Sequence, residues 1–504
     1  MSRLFATIQH TARLGTRAVA TAISLLLLAA CSQLPTEHRP ALAIPANYRE
    51  ASDPSASALQ PPSSLGRWKP AEPADQQAPS PWWEVFEDPV LLALEQQALQ
   101  ANPDVSIAMA RLQQARALAS RSEAARMPEI NAGASYSRQR TPGAAAGRED
   151  GAPGSSQSLW QAQASVAYEL DVFGRVSSSI AAAQADSAQQ QALAHQMLLL
   201  VQAEVATTYF RLRQLEAELR LLRDTVQLRE DAAGLLDRRL SAGAIAPFVA
   251  DQARTEVLTA RAEQLALEQQ QALALHALAI LLGQAPASFA LAPLPLAPVS
   301  VQLPAGLPSA LLERRPDIAA AERAMAAENA RIGIAQAAFF PSFSLTGALG
   351  YASSDLGHLL QWSQRSFLLG PLLSLPIFDG GRREAELARS HALYDERVAQ
   401  YRKTVLHAFG EVEDALAAMR TLDERIVHQH GAEQASSRVA RSAQSRFDEG
   451  DVDYLVVVDA ERTRLRSRQA LIQSQGERAR ATVALVRALG GGWQSAAMVD
   501  GTGD

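Results

Sequence analysis

Apolar and polar residues alternate strictly at two places in this chain, and each place is followed by a long stretch with helical spacing. Ile130, Ala132, Ala134 and Tyr136 interleave with Asn131, Gly133, Ser135 and Ser137. Trp160, Ala162, Ala164, Val166, Tyr168 and Leu170 then interleave with Gln161, Gln163, Ser165, Glu169 and Asp171. The pattern returns as Phe343, Leu345, Leu349 and Tyr351, then as Phe367, Leu369, Leu373, Leu375 and Ile377. A period of two predicts strands with one apolar face. Their length suits the ~9–11 residues of a tilted membrane-spanning strand, and a soluble sandwich hairpin fits the same pattern. From Arg175 no proline interrupts until Pro247, and from Arg382 none follows to the end. A helix of roughly 65 residues is ~100 Å long. Leu212, Leu215, Leu219, Leu222 and Val226 trace a coiled-coil seam along the first of these helices. Helices that long must pack side by side as a tall bundle or cylinder.

The two places are copies of one plan: helix, strand, strand, very long helix, helix. Pro103-Asp104 recurs 213 residues on as Pro316-Asp317, and Pro128 recurs at the same offset as Pro341. Arg175, Gly243 and Leu282-Gly283 recur 207 residues on as Arg382, Gly450 and Leu489-Gly490. The offset changes once, at the Gly/Pro/Ser-rich stretch from Thr141 to Ser158, six residues longer in the first copy. A single length change in a surface loop is what duplication and drift leave. In the first copy Asn102 is positioned to cap a helix running to Arg126. The boundaries follow as 1–30 signal peptide, 31–86 tether, 87–283 first repeat, 284–306 proline-rich link, 307–490 second repeat and 491–504 tail.

Composition narrows the class. The 504 residues carry 47 basic and 53 acidic side chains, a net charge of −6, with no concentrated basic face of the kind nucleic acid requires. The mean hydropathy is −0.08, and no mature apolar run reaches the ~18 residues of a membrane-spanning helix. Arg3, Arg13 and Arg17 precede an apolar stretch from Ala18 to Ala30, the layout of a secretory signal. It ends in Leu28-Ala29-Ala30-Cys31, similar to a bacterial lipobox, and Cys31 is the only cysteine in the chain. The expected modification is a diacylglycerol thioether and an N-acyl group on Cys31, with no other cofactor. In lipoproteins with such a motif, a residue other than Asp after the cysteine allows onward transport to the outer membrane, and Ser32 meets that expectation. Residues 32–80, rich in Pro, Ser and Ala, read as an extended tether with no core of its own.

If the four strands meet lipid they cannot do so alone, because open sheet edges are forbidden there and the smallest membrane barrels have about 8 strands. The strands must then be shared between chains.

Several motifs together resemble the TolC-like outer membrane factors, in particular their lipidated OprM-like branch. These are the lipobox at Cys31, Trp82-Trp83 with Phe86 and Asp88-Pro89, and Glu169-Leu170-Asp171-Val172-Phe173-Gly174-Arg175. Arg315-Pro316-Asp317-Ile318, Leu375-Pro376-Ile377-Phe378-Asp379-Gly380-Gly381-Arg382 and Ala488-Leu489-Gly490-Gly491-Gly492-Trp493 complete the set. The resemblance implies an α+β fold: long helices in a trimeric periplasmic α-barrel, and four strands per chain in a shared 12-stranded outer-membrane β-barrel. It implies a lipid-anchored exit duct of a tripartite efflux system, conducting small molecules such as drugs. Its partners are then a periplasmic adaptor, an inner-membrane RND-type pump and outer-membrane lipid.

By motif match the family's constricting apolar ring falls on Leu455 and its aspartate ring on Asp459, one helical turn apart. The position of a further aspartate found in some members is Val456 here. The helix tips at Gly243 and Gly450 are expected to face the adaptor, with Asp448 and Asp451 beside the second. On the residues alone, bundle packing for Leu455 and a solvated helix face for Asp459 is the better reading, and the resemblance reverses it. No G-x-S-x-G, P-loop or H-E-x-x-H motif is present. His428 and His430 are two apart and point to different helix faces, so no metal pair is expected. Glu411, Glu413 and Asp414 read as a solvated face. The rivals are a similar duct serving protein secretion or metal export, and a lipid-anchored coiled-coil scaffold without a pore. The face from Trp160 to Leu170 separates them, since lipid covers it in a duct and protein covers it in a scaffold.

Overall fold

A computed structural model describes residues 48–50, 81–142, 153–297 and 314–491. The signal peptide, Cys31, most of the tether and tail, and residues 298–306 of the link lie outside the described residues. A short 3-10 turn at Trp82–Phe86 leads into helix α1 (Pro89–Ala101), which Asp88 caps by accepting from the Val90 and Leu91 amides at 2.9 and 3.1 Å. Then come α2 (Pro103–Ala124), β1 (Glu129–Thr141), β2 (Ser155–Leu170), α3 (Arg175–Ser241) and α4 (Pro247–Leu281). The second series is α5 (Pro316–Ala337), β3 (Ser342–Ser353), β4 (Arg365–Ser374), α6 (Arg382–Asp448) and α7 (Tyr454–Ala488). Corresponding helices have equal lengths: 22 residues in α2 and α5, 67 in α3 and α6, 35 in α4 and α7. Among the described residues no helix is long and apolar enough to cross a membrane.

The described residues form two compact units. The strand unit comprises Gln113–Gln189 and Ala321–Gln400, and the hairpin unit the described parts of Ala41–Leu112, Gln190–Ala320 and Tyr401–Asp504.

In the strand unit the four strands make one antiparallel sheet in the order β1-β2-β3-β4. The register pairs like with like. Ile130, Ala132, Ala134 and Tyr136 oppose Val166, Ala164, Ala162 and Trp160. Leu349 stands opposite both Ala164 and Phe367, and Gly347 opposite both Val166 and Leu369. Paired residues share a side, so one apolar face runs unbroken across all four strands. The strands also reach into the stretch read as a loop, β1 through Thr141 and β2 from Ser155. β4 ends at Ser374, so Leu375 and Ile377, which continue its alternation in sequence, lie beyond it.

Where β2 hands over to α3, the Asp171 carboxylate accepts from the Val176 and Ser177 amides at 2.8 and 2.7 Å, while Gly174 turns at φ +74°. Burial pushes the Asp171 carboxyl up, but the Ser177 hydroxyl and these amides hold it below its usual value. Asp379 does the matching work before α6, accepting from the Gly381 amide and pairing with Arg383 at 2.7 Å. Helix-start geometry thus accounts for two of the motifs read from the sequence.

In the hairpin unit the seam residues Leu212, Leu215, Leu219, Leu222 and Val226 are all buried. One core gathers Trp82, Trp83, Leu91 and Leu94 with Tyr209, Phe210, Leu278 and Leu282. The tether reading needs correction here. Tyr48 is buried against Val412, Ala415 and Leu485, and the Arg49 and Glu50 amides donate to Glu413 at 2.8 and 3.0 Å. Glu413 and Glu411 are therefore engaged rather than merely solvated, since Glu411 pairs with Arg315 at 2.7 Å. An aromatic ring with two following amides gives an otherwise polar segment enough contact to dock.

Candidate functional site

Two surfaces are candidates, the far turns of the helical hairpins and the apolar face of the sheet.

α6 stops because Gly450 adopts φ +80°, letting the Gly450 amide donate to the Phe447 carbonyl at 3.1 Å and the Asp451 amide to the Arg446 carbonyl at 2.8 Å. Gly243 ends α3 the same way at φ +69°, with the Ala244 amide on the Arg239 carbonyl at 2.9 Å. The two ends lie side by side. Phe447 and Tyr454 touch both the α3–α4 cluster around Leu236 and Val257 and the α6–α7 cluster around Ala443 and Ala460. Arg239 caps the contact from above, 5.4 Å from the Phe447 ring.

On α7, Val457, Val458 and Ala460 are buried, whereas Leu455 is 50% exposed and Asp459 is exposed on the other side of the helix. Leu455 and Asp459 are thus stacked on one free face, the geometry a ring built from several copies needs. Arg462 lies about one turn further on, pairing with Glu256 of α4, which Arg229 of α3 also holds at 3.2 Å. The hydrogen bond that Arg462 donates to Glu256, with a smaller contribution from the charge of Asp459, raises the pKa of Arg462. Asp448 and Asp451 are exposed at the turn. Asp451 is tied to Arg446 of its own chain at 2.7 Å, and Asp448 accepts from Gln444 at 2.9 Å.

The sheet presents the second surface. Phe367 is 82% and Leu369 72% exposed, and Ile130, Leu349 and Leu373 are exposed on the same side. Rings bound this face at both ends. The Tyr136 and Trp160 rings lie 4.3 Å apart, tilted by 35°, near the hairpin ends, and Phe173 stacks on Phe340 at 4.8 Å near the helices. Trp160 and Leu170 are ten residues apart on one strand, ~33 Å of chain. At a tilt of ~40° that spans the ~25 Å apolar band of a membrane barrel. β1 and β4 have unpaired outer edges among the described residues.

Sequence reasoning missed the Arg229–Glu256–Arg462 tie, because its members lie on three helices and only register brings them together. It also missed Glu95, which is fully buried on α1 with neither oxygen hydrogen-bonded among the described residues. An acid on the helix face of Leu91, Leu94 and Ala98 was the available signal. Among the described residues no cluster of three or more metal-ligating side chains occurs.

Comparison with known proteins gives consistent matches. The family model described as outer membrane efflux protein matches residues 94–284 and 307–491. The outer membrane protein OprJ of Pseudomonas aeruginosa is 36% identical over 478 residues, covering 94% of this chain and 96% of OprJ. The probable efflux pump outer membrane protein TtgC of Pseudomonas putida is 35% identical over 476 residues, 94% of this chain and 95% of TtgC. Among solved structures, the outer-membrane channel OprN superposes with a TM-score of 0.80 at 30% identity, over 92% of this chain and 99% of that one. The MtrE outer membrane channel of Neisseria gonorrhoeae in its open state gives 0.77 at 28%, over 92% of this chain and 98% of that one.

Proposed function

This chain belongs to the outer membrane efflux protein family, and from that membership we propose how its parts conduct. It is an outer-membrane efflux channel with a large periplasmic portion. The observation that carries the mechanism is the unbroken apolar face on a sheet with two free edges. Three copies pair β4 of one with β1 of the next and close a twelve-stranded barrel, which removes every edge from the lipid. A protein scaffold would bury Phe367 and Leu369 in its own core; here both are largely exposed.

The long helices of the same three copies continue the barrel as a duct in the periplasm. Leu455 forms an apolar collar and Asp459 an acidic ring beside it. The collar closes by dewetting, and the ring selects cations by its field. The chain has no turnover of its own. An inner-membrane RND-type pump, reached through a periplasmic adaptor at the turns around Gly243 and Gly450, supplies the energy and chooses the small molecules exported. A lipid on Cys31 adds an anchor to the barrel's own hold.

The test is conductance of the purified full chain in planar bilayers. Leu455→Ser should raise the conductance severalfold, and Asp459→Ala should lower the preference for cations. Unchanged conductance and selectivity in both variants, from a protein whose mass is three chains, would remove these residues from the gate.

A further inference from the structure

The register puts three arginines on the apolar face at one end only. Counting in twos from Tyr136, Arg138 and Arg140 of β1 share its side, opposite Ser158 and Ser156. Arg365 of β4 stands opposite Tyr351 on that same side. All three lie at the hairpin ends, beside the rings Tyr136, Trp160 and Trp362. At the helical end of the sheet, the charged strand residues Glu129 and Glu169 belong to the other face. The lipid-facing surface is therefore basic at its far rim and uncharged at its near one.

These arginines differ from others in the strand unit. Arg175, Arg331 and Arg383 each hold a carboxylate at 2.7 Å or less. Arg138 and Arg140 have no carboxylate partner among the described residues. Arg365 donates to the Trp362 carbonyl at 2.8 Å and lies 4.6 Å from that residue's ring, which orients the guanidinium and leaves its charge uncompensated. Cations just beyond an aromatic band are at the level of lipid headgroups, and a guanidinium's forked donors match phosphate.

Below Arg365 the face is hollowed. A depression of about 650 Å³ lies on Ala134, Ala162 and Ala164 beneath Trp362 and Arg365. It meets a second of about 410 Å³ that passes Gly347 and Ile130, sharing Ala164 and Leu349. Together they run ~13 Å along the strands, away from the arginines and toward the helices. A cationic mouth over an apolar furrow is complementary to a phosphate with an acyl chain below it.

We propose that Arg138, Arg140 and Arg365 bind the phosphates of the outer-leaflet glycolipid, lipopolysaccharide, with an acyl chain lying in the furrow. The inference rests on the barrel reading. Because the arginines sit on the two edge strands, closure sets Arg365 of one copy beside the β1 arginines of the next, so the phosphates are held at the seams between copies.

The purified oligomer is titrated with diphosphoryl lipid A, monophosphoryl lipid A and phosphatidylglycerol, and bound lipid is read by native mass spectrometry. Each basic residue near a lipid surface is worth about fivefold, so Arg138→Ser, Arg140→Ser and Arg365→Ser together should weaken diphosphoryl lipid A on the order of a hundredfold. Monophosphoryl lipid A should bind less tightly than the diphosphoryl form. Should the serine variant not assemble, lysines at all three positions keep the charge, lose the fork and should bind roughly tenfold more weakly than the native chain. Equal binding by native and variant oligomers, or a native preference for phosphatidylglycerol, overturns the proposal. A native chain that is monomeric or absent from the outer-membrane fraction overturns the barrel reading instead.

Discussion

The two repeats share a backbone and differ in what they place on it. At the joint where each hairpin returns, the Asn102 amide donates to the Leu281 carbonyl at 2.8 Å, and 213 residues on Arg315 donates to the Ala488 carbonyl at 2.9 Å. The first joint is neutral, and Asn102 also caps α2 through the Asp104 and Val105 amides. The second is ionic, with Arg315 holding Asp317 and Glu411 at 2.7 Å each. Both turns use a left-handed glycine, yet Leu455 and Asp459 correspond to Phe248 and Gln252, and the acidic turn corresponds to Ser241-Ala242-Gly243-Ala244. Duplication keeps what geometry demands and releases the side chains, so one copy can carry the gate while the other braces it. Substitutions at matching positions separate features of the shared frame from those of one copy.

The largest expected effect belongs to a feature of the first copy alone. The position equivalent to Glu95 is Pro308. Burial without a partner pushes the Glu95 carboxyl up to about 9, against 4.5 for the free group. The folded protein therefore keeps this proton while the unfolded chain releases it. Stability is greatest below pH 4.5 as far as this group is concerned, and it falls by roughly 1.4 kcal/mol per pH unit until about pH 9. Several kcal/mol are lost across that window. In thermal melts of the detergent-solubilised full chain, Glu95→Gln should abolish this slope between pH 5 and pH 9. Parallel pH profiles for variant and native protein would mean Glu95 is ionised in the fold.

Next come the glycines at the two joints. A Cβ on Gly283 would stand 2.3 Å from the Ala101 carbonyl oxygen, and one on Gly490 would stand 3.0 Å from that of Arg314. Both have positive φ, +67° and +88°. Strain and backbone overlap together should cost Gly283→Ala ~3 kcal/mol or more, and Gly490→Ala ~2 kcal/mol. Equal losses in denaturant midpoint would show that the first joint gives way more easily than its contacts imply.

Much of this frame was legible beforehand, for a physical reason. Period-two alternation, proline-free runs and repeated Gly and Pro positions are one-dimensional signals, and β1 to β4 and both 67-residue helices follow from them. Features set by register between distant segments were not legible. Tyr48 looked like part of a tether because nothing local shows that it meets Val412 and Leu485. Glu413 looked solvated because its partners are the amides of Arg49 and Glu50, more than 360 residues away. At the tip, Leu455 and Asp459 came from resemblance, and their shared exposed face required α7 to be docked. The three rim arginines needed the strand register before they could be assigned a side.

Glu256 tests how the bracing copy holds the gated one. Its counterpart, Thr463, only returns a hydrogen bond to the Asp459 carbonyl of its own turn at 2.9 Å. Glu256 joins α3, α4 and α7 through Arg229 and Arg462, and it is itself buried. Breaking a fully buried pair costs about 3–5 kcal/mol, but Arg462 is 46% exposed, so Glu256→Ala should cost ~2 kcal/mol. Thr463→Ala should stay within ~0.5 kcal/mol. Equal effects by thermal melting would mean the tie contributes nothing beyond ordinary surface pairing.

The smallest effect is the most discriminating, since it asks for sameness. Gly243 and Gly450 sit at φ +69° and +80°, and a Cβ at either meets nothing within 4 Å. With no overlap, alanine pays only for the left-handed backbone, ~1 kcal/mol at each site. The surrounding charges differ sharply, none on Ser241–Ala246 and four carboxylates on Asp448–Asp453, so electrostatics would make the two substitutions unequal. Matching losses in urea midpoint, unchanged by 1 M salt, would assign the turn to the shared frame and leave the acidic side chains free for a partner. A larger, salt-sensitive loss for Gly450→Ala would mean that Asp448, Glu449, Asp451 and Asp453 hold the turn themselves. The two copies would then differ in how they fold as well as in what they present.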